Sequence, residues 1–283
     1  MTEFVVYDVF TDHAFGGNQL AIIPDATTLP EDQLQKIARE FNFSETVFLY
    51  PPQDAANTAC VRIFTPTTEV PFAGHPTIGT IIALTDTGHG PAMTLELGIG
   101  PLACQVDDGV ASFVTTAPLE RLAKPSPDLV ARALGLTPDD LDQSAHAPVQ
   151  ASLGLPFVIV ALRDRDALRR CQPVTDAIRE GAQLHPAGLD FALFAYCRDG
   201  DTIDARMFAP LDNIPEDPAT GSASATLAAL LTEIAQTPLA LTIRQGEDMG
   251  RPSTIFAKTT LPGPVSVTIS GNAVKTMEGR LVI

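Results

Sequence analysis

"EVPFAGHPTIGT" (residues 69–80) sets a proline turn before Gly74-His75, then a run of small residues and isoleucines that can begin a helix. The stretch has an echo, "EDPATGSASATL" (216–227). Sliding one over the other by 147 positions puts Glu69 on Glu216, Pro71 on Pro218, Gly74 on Gly221 and His75 on Ser222. Upstream, "RIFTP" (62–66) matches "RMFAP" (206–210), and "VFLY" (47–50) matches "LFAY" (193–196), in the same order. One short match is cheap. Three in order indicate an internal duplication.

The 283 residues suffice for two domains of ordinary size, each with its own core. Apolar residues make up 45% and aromatics 6%, a balance that argues against disorder. A formal net charge of −16 repels phosphate backbones and anionic lipid, so neither nucleic acid nor membrane is expected as a partner. The opening "MTEFVVYDVF" lacks a basic, apolar leader pattern, and a cytoplasmic location is expected. Cys60, Cys104, Cys171 and Cys197 lie far apart and read as buried thiols. The histidines, at 13, 75, 89, 146 and 185, show no metal-ligand spacing, so no metal is called for.

Along the chain, "EFVVYDVF" (3–10) and "GGNQLAII" (16–23) read as strands around a glycine turn. "PEDQLQKIAREFN" (30–42) reads as a helix, with acidic residues at its start and an apolar stripe of Leu34, Ile37 and Phe41. β-rich segments follow, then the helix near Gly74, then a meander turning at Asp108-Gly109. "APLERLAKPSPD" (117–128) is punctuated by proline and lacks a strand pattern, which places the domain boundary there. The second half repeats the scheme, with a helix around 173–182, another from Gly221, and closing strands that include "PVSVTISG" (264–271) and "GRLVI" (279–283). The expected fold is α+β, made twice, with each sheet wrapped around one apolar helix.

The two helix starts carry the chemistry. Gly74 and Gly221 allow close backbone approach, and the first-turn N–H groups of a helix suit a carboxylate. As isolated features, Ser222 reads first as a helix cap and His75 as a packed or surface histidine; their repetition weighs toward a site. The halves differ where it matters: one has His75, the other Asp217 and Ser222, as for an acid and a base on opposite faces of a cleft. Glu45, in "NFSETVFLY", interrupts an apolar strand pattern, and desolvation there would raise its pKa. A solvent-facing strand position is the plain alternative. Asn18, after the double glycine, is a candidate substrate contact or a simple turn residue.

"GGNQLAII", "NFSETVFL", "RIFTPTTEVPFAGHPTIGT", "EDPATGSASATLAALL" and "QGEDMGRPSTIFA" together resemble the ordered motif set of the PhzF family, from about residue 8 to the end. The resemblance implies a diaminopimelate epimerase-like fold. It predicts two pseudo-symmetric domains, each a β-barrel-like roll around a central helix, with the active site in the cleft between them. The expected domains are residues 1–118 and 129–274, with the last strand, near 275–283, free to return to the first. The resemblance further implies a homodimer without a cofactor. By motif, Glu45 corresponds to the family's proton carrier. His75, Asp217 and Ser222 match proton-handling and substrate-contacting positions, Gly74 and Gly221 match the backbone donors, and Asn18 matches the N-terminal asparagine. The implied activity is a cofactor-independent isomerase that moves a proton between carbons of a small carboxylated molecule of the dihydro-hydroxyanthranilate kind. Two other readings stay open: a racemase or epimerase of an amino or imino acid using carboxylate and histidine bases, and a small-molecule-binding protein without catalysis. The related epimerases place a thiol at each helix start, and this chain has none there. Pro76, after His75, departs from the small residue expected at that position.

Overall fold

A computed structural model of the chain describes residues 1–263 and 265–282. Pro264 and Ile283, which the sequence reading put at strand ends, lie outside the described residues. The chain divides into two compact units, residues 1–114 with 269–283, and residues 115–268.

In the first unit, β1 (Thr2–Val9) runs antiparallel to β2 (Asn18–Ile23), and β2 runs parallel to β3 (Glu45–Tyr50) through the crossover helix α1 (Glu31–Phe41). β4 (Ala59–Phe64) is antiparallel to β3 and to the short β5 (Glu69–Val70). It pairs parallel with β6 (Ala92–Leu97), and the crossover is α2 (Gly74–Asp86). β6, β7 (Gly100–Asp107) and β8 (Val110–Thr115) continue as a meander; Asp108 and Gly109 turn with φ of 47° and 78°, the left-handed pair that a two-residue hairpin needs.

The second unit adds β9 (Glu120–Ala123), α3 (Pro127–Ala133), β10 (Val149–Ser152), β11 (Pro156–Ala161), α4 (Arg165–Arg170), α5 (Thr175–Leu184), β12 (Leu193–Asp199), β13 (Thr202–Ala209) and β14 (Ile214–Asp217). It goes on through α6 (Gly221–Ala235), β15 (Ala240–Gln245) and β16 (Ser253–Thr260), and β17 (Ser266–Gly271) carries the chain from it back into the first unit. Its pairings repeat those of the first unit one for one. β10 and β11 are antiparallel, β11 and β12 parallel, β12 and β13 antiparallel; β13 pairs antiparallel with β14 and parallel with β15. The duplication seen in three short motifs is therefore a duplication of topology. The final strand, β18 (Ala273–Leu281), returns to pair antiparallel with β1.

One expectation fails. Residues 120–123 are a strand, β9, paired with β10, where the sequence showed none. Glu120, Arg121 and Leu122 are exposed, so no apolar alternation marks the strand; backbone pairing with β10 and an ion pair from Arg121 to Glu233 hold it. Nor did the sequence reading find α3, although Ser126 caps it by accepting the Leu129 N–H at 3.3 Å.

Each unit is built around its apolar helix. In α2, residues 74–84 are all buried, and the helix packs on β1, β2, β3, β7 and β18. Apolar on every side, it can be satisfied only by strands all round. Gly79 sets the closeness of that packing: a Cβ there would stand 2.5 Å from Leu20 Cδ2 and 2.8 Å from Val9 Cγ2. The α6 helix is buried from Ala223 to Thr232 in the same manner. The outer helix α1 covers the far side of β3 and β4 through Leu34, Ile37 and Ala38, against Phe48 and Phe64.

The repeated Arg and Glu of the motifs have a structural task. Arg62 forks Glu69 through Nε and Nη2, both at 2.7 Å, and lies over the Phe64 ring at 5.1 Å. Arg206 forks Glu216 the same way at 2.8 Å and lies over Phe208 at 4.8 Å. Each fork ties the strand before a central helix to the chain segment that enters it. The second fork is deeper. Its side chains are 11% and 16% exposed, against 26% and 42% for Arg62 and Glu69. Arg206 Nη1 also donates to the carbonyls of Leu168, Arg169 and Cys171 at the end of α4. Removing one partner of a buried pair strands the other charge, whereas an exposed pair is worth little. E216A should therefore cost about 3 kcal/mol or more in urea unfolding, and E69A about 1 kcal/mol or less. Equal costs would contradict this reading of the forks.

Candidate active site

The first unit brings four of the singled-out residues together. Asn18 opens β2, Glu45 opens the neighbouring parallel strand β3, and Gly74 and His75 are the first two residues of α2. The pairing of Leu20 with Glu45 sets the two strand starts side by side, and the close seating of α2 on β1 and β2 carries the helix start to them. His75 Nδ1 lies 3.3 Å from Glu45 Oε2 and 3.3 Å from Asn18 Nδ2. The His75 side chain is 5% exposed and that of Glu45 16%.

Donor and acceptor roles limit what this trio can be. An amide N–H only donates. If Nδ1 is bare, it accepts from Asn18, and Glu45 meets it favourably only as a carboxylic acid. If Nδ1 carries the proton, it faces a Glu45 carboxylate that can accept it. One proton thus belongs to the Glu45–His75 pair, not to either residue alone. Burial pushes the His75 imidazole down from 6.5 to about 3, opposed more weakly by a contact with the Gln19 backbone. Burial dominates because the ring is enclosed, so the ring is neutral at pH 7.

Neither central helix is capped by a side chain. The N-cap residues are Ala73 and Thr220, and neither makes a side-chain cap hydrogen bond. Gly74-His75 and Gly221-Ser222 are therefore the first two helical residues and not caps. Neither helix has an acidic residue in its first turn, in a chain of net charge −16. Both starts keep the positive end of the helix dipole available to an anion. Pro76 lacks an N–H, so α2 offers fewer donors than α6, where Ala223 stands in its place.

In the second unit, Asp217 ends β14 and is 5% exposed; Gly221 is buried and Ser222 half-buried. Two residues that the sequence reading missed organise this segment. Thr220 Oγ1 donates to Asp217 Oδ2 at 2.6 Å, and Gln245, at the end of β15, reaches both residues from below. Gln245 lies inside the quoted motif "QGEDMGRPSTIFA", but its role depends on β15 pairing beside β13, which no local pattern announces. Motif alignment sets Phe191, fully buried, at the place of Glu45, so only the first unit supplies a carboxylate there.

All four cysteines are free. Burial pushes their thiols up, to about 12 for Cys104 and Cys171 and about 11 for Cys197, and in the same direction for half-buried Cys60. None has the lowered pKa of a reactive thiol. Among the described residues, no three His, Cys, Asp or Glu side chains converge on a metal position, and no helix is long and apolar enough to cross a membrane.

The His75 environment gives a pH signature. In the unfolded chain the imidazole takes up a proton as the pH falls through 6.5; in the folded chain it does so only near 3. The unfolded state gains protons across that window, so acid destabilises the fold there. An H75Q variant cannot titrate. Between pH 7 and pH 5 the stability of the wild type should drop by about 2 kcal/mol relative to H75Q, read from urea unfolding at each pH. Parallel profiles would contradict the buried neutral ring.

Comparison with known proteins places these features in a family. The model of phenazine biosynthesis-like proteins, PhzC-PhzF, matches residues 7–279. An uncharacterized isomerase of Mesorhizobium japonicum is 37% identical, over 99% of both chains. The trans-2,3-dihydro-3-hydroxyanthranilate isomerase of Pseudomonas fluorescens is 32% identical, over 100% of both. The crystal structure of a PhzF-family phenazine biosynthesis protein from Bacillus anthracis superimposes with a TM-score of 0.89 at 26% identity, covering 100% of this chain and 99% of that one. A hydroxyproline epimerase from Agrobacterium vitis shares the fold alone, with a TM-score of 0.65 at 14% identity over 99% of this chain and 90% of that one. The chain belongs to the PhzC-PhzF family of phenazine biosynthesis-like proteins and is an isomerase of that family.

Proposed function

We propose that the chain moves a proton between two carbons of a small carboxylated molecule related to trans-2,3-dihydro-3-hydroxyanthranilate, without a cofactor. The observation that carries the reading is the buried Asn18–Glu45–His75 cluster at the uncapped start of α2. In this reading the Glu45 carboxylate takes the proton from carbon. The C–H electron pair moves into a new double bond, and the existing double bond shifts by one position. A proton, exchangeable with water while it sits on the Glu45–His75 pair, then passes from Glu45 to the far carbon, which restores the carboxylate. Neutral His75 holds Glu45 in place and shares its proton, and the α2 start receives the substrate carboxylate. Asp217 and Ser222 are assigned to the same substrate because the duplicated motif pairs their helix start with that of α2.

Racemisation through two thiols has little support, since neither helix start carries a cysteine and the thiols are shifted away from reactivity. Replacing Cys60 by Ser and the three buried cysteines by Ala should leave turnover within a few-fold, provided circular dichroism shows a folded chain. Loss of all activity in that folded variant would revive the thiol mechanism. The reaction itself is read by NMR in D₂O, with trans-2,3-dihydro-3-hydroxyanthranilate and a panel of cyclic carboxylic acids. Deuterium should enter at carbon with a shifted double bond, and E45Q should slow this by about a hundredfold or more. Wild-type rates in E45Q would rule out Glu45 as the proton carrier. Inversion at a single carbon without a double-bond shift would favour the racemase reading.

A further inference from the structure

Gln245 sits at the end of β15 and is 1% exposed. All its side-chain hydrogen bonds run to one short segment. Its Oε1 accepts the Thr220 N–H at 3.1 Å, and its Nε2 donates to the Asp217 carbonyl at 2.7 Å and to Thr220 Oγ1 at 3.0 Å. A main-chain N–H can only donate and a carbonyl can only accept, so these contacts fix which end of the amide is which. The rest follows in one direction. Thr220 Oγ1 receives a hydrogen from Gln245, so its own single hydrogen goes to Asp217 Oδ2, 2.6 Å away. Asp217 and Thr220 are 5% and 7% exposed, so water competes little with the chain of bonds. The following residue permits the approach. Gly246 has φ 77°, and a Cβ there would stand 2.7 Å from the Pro218 carbonyl oxygen and 2.3 Å from that of Arg251. Of the charged groups on the packed elements, Arg206 on β13 pairs with Glu216 on β14, Arg244 on β15 pairs with Asp204 on β13, and Asp248 after β15 pairs with Arg165 at 2.6 Å; Arg251 follows on the segment beside Gly246.

We propose that Gln245 is a positioning residue for Asp217. Acting through Thr220, it fixes the direction of the hydrogen bond that Asp217 receives and so holds that carboxylate as an acceptor in one orientation at the start of α6. This rests on the part in the reaction assigned to Asp217 above. A side chain twenty-eight positions away in sequence thereby sets the state of a residue that meets the substrate. The quoted motif "QGEDMGRPSTIFA" belongs to the site by this route, without touching the reacting atoms.

The test separates the chain of bonds from the reaction. In T220V the shape stays and the hydroxyl goes. In Q245E, Thr220 N–H keeps an acceptor, but the second carboxylate oxygen turns against the Asp217 carbonyl and competes for the Thr220 hydrogen. The Asp217 carboxyl is titrated directly by carbon-13 NMR, which needs no turnover. Its midpoint should rise by about one pH unit or more in both variants, as expected when a donor to a buried carboxylate is lost. T220S should restore the wild-type curve. Turnover of trans-2,3-dihydro-3-hydroxyanthranilate should fall about tenfold or more in kcat with KM little changed, since a misplaced group costs rate before it costs binding, and T220S should again restore it. Unchanged titration in both T220V and Q245E, with the chain folded, overturns the proposal. A shifted titration with unchanged kcat overturns the positioning role by removing Asp217 from the reaction, while the bond network stands. If Q245E does not fold, T220V and T220S decide the matter alone.

Discussion

A helix buried on every side must still do something with the N–H groups of its first turn. In most helices a serine, threonine or aspartate side chain takes one of them. Here the two central helices follow the N-cap residues Ala73 and Thr220 without any side-chain cap, and with no acid in the first turn. The burial that holds each unit together also places a positive helix end deep in the protein. That constraint accounts for the glycines, the prolines that direct the chain inward, and the polar groups gathered at those points.

Duplication supplied two copies of this arrangement, and the copies kept different things. The strand pairings are repeated, and so are the Arg–Glu forks with their aromatic partners. These are matters of stability: a fork that ties a strand to the entry of the central helix works equally well in either half. The helix starts diverged. The first carries His75 against Glu45 and Asn18; the second has Ser222, and a buried phenylalanine where Glu45 would be, with Asp217 held by Thr220 and Gln245. The forks are thus repeated as structure, and the differences between the halves are gathered at the helix starts, where the candidate site lies. The repeated Glu69 and Glu216, which drew attention to the motif, belong to the forks and not to the candidate site.

The candidate site depends on a balance between burial and charge. An imidazole enclosed by apolar strands is neutral, and a carboxylate at 3.3 Å from it gives a shared proton a second place to sit. The same two groups in water would titrate independently and would hold no proton in common near neutral pH. The enclosure comes from α2 packing so closely on β1 and β2 that Gly79 has no room for a side chain.

The amino-acid sequence by itself determined the duplication, the helix starts and their chemical asymmetry, because glycine, proline and histidine act through local backbone freedom and side-chain type. It also marked Glu45 as an acid in an apolar strand. It could not show β9, whose exposed side chains leave no period to read, nor separate the fork glutamates from the candidate site residues, since both lie in one motif. Tertiary structure decided that Asn18 and Glu45 both come to 3.3 Å from His75 Nδ1, and that Gln245 bonds to the Asp217 carbonyl. These contacts join residues 28 to 57 positions apart along the chain. They exist only because parallel strand pairing and a central helix bring strand ends to one point, and strand pairing over such distances leaves no local trace in the sequence.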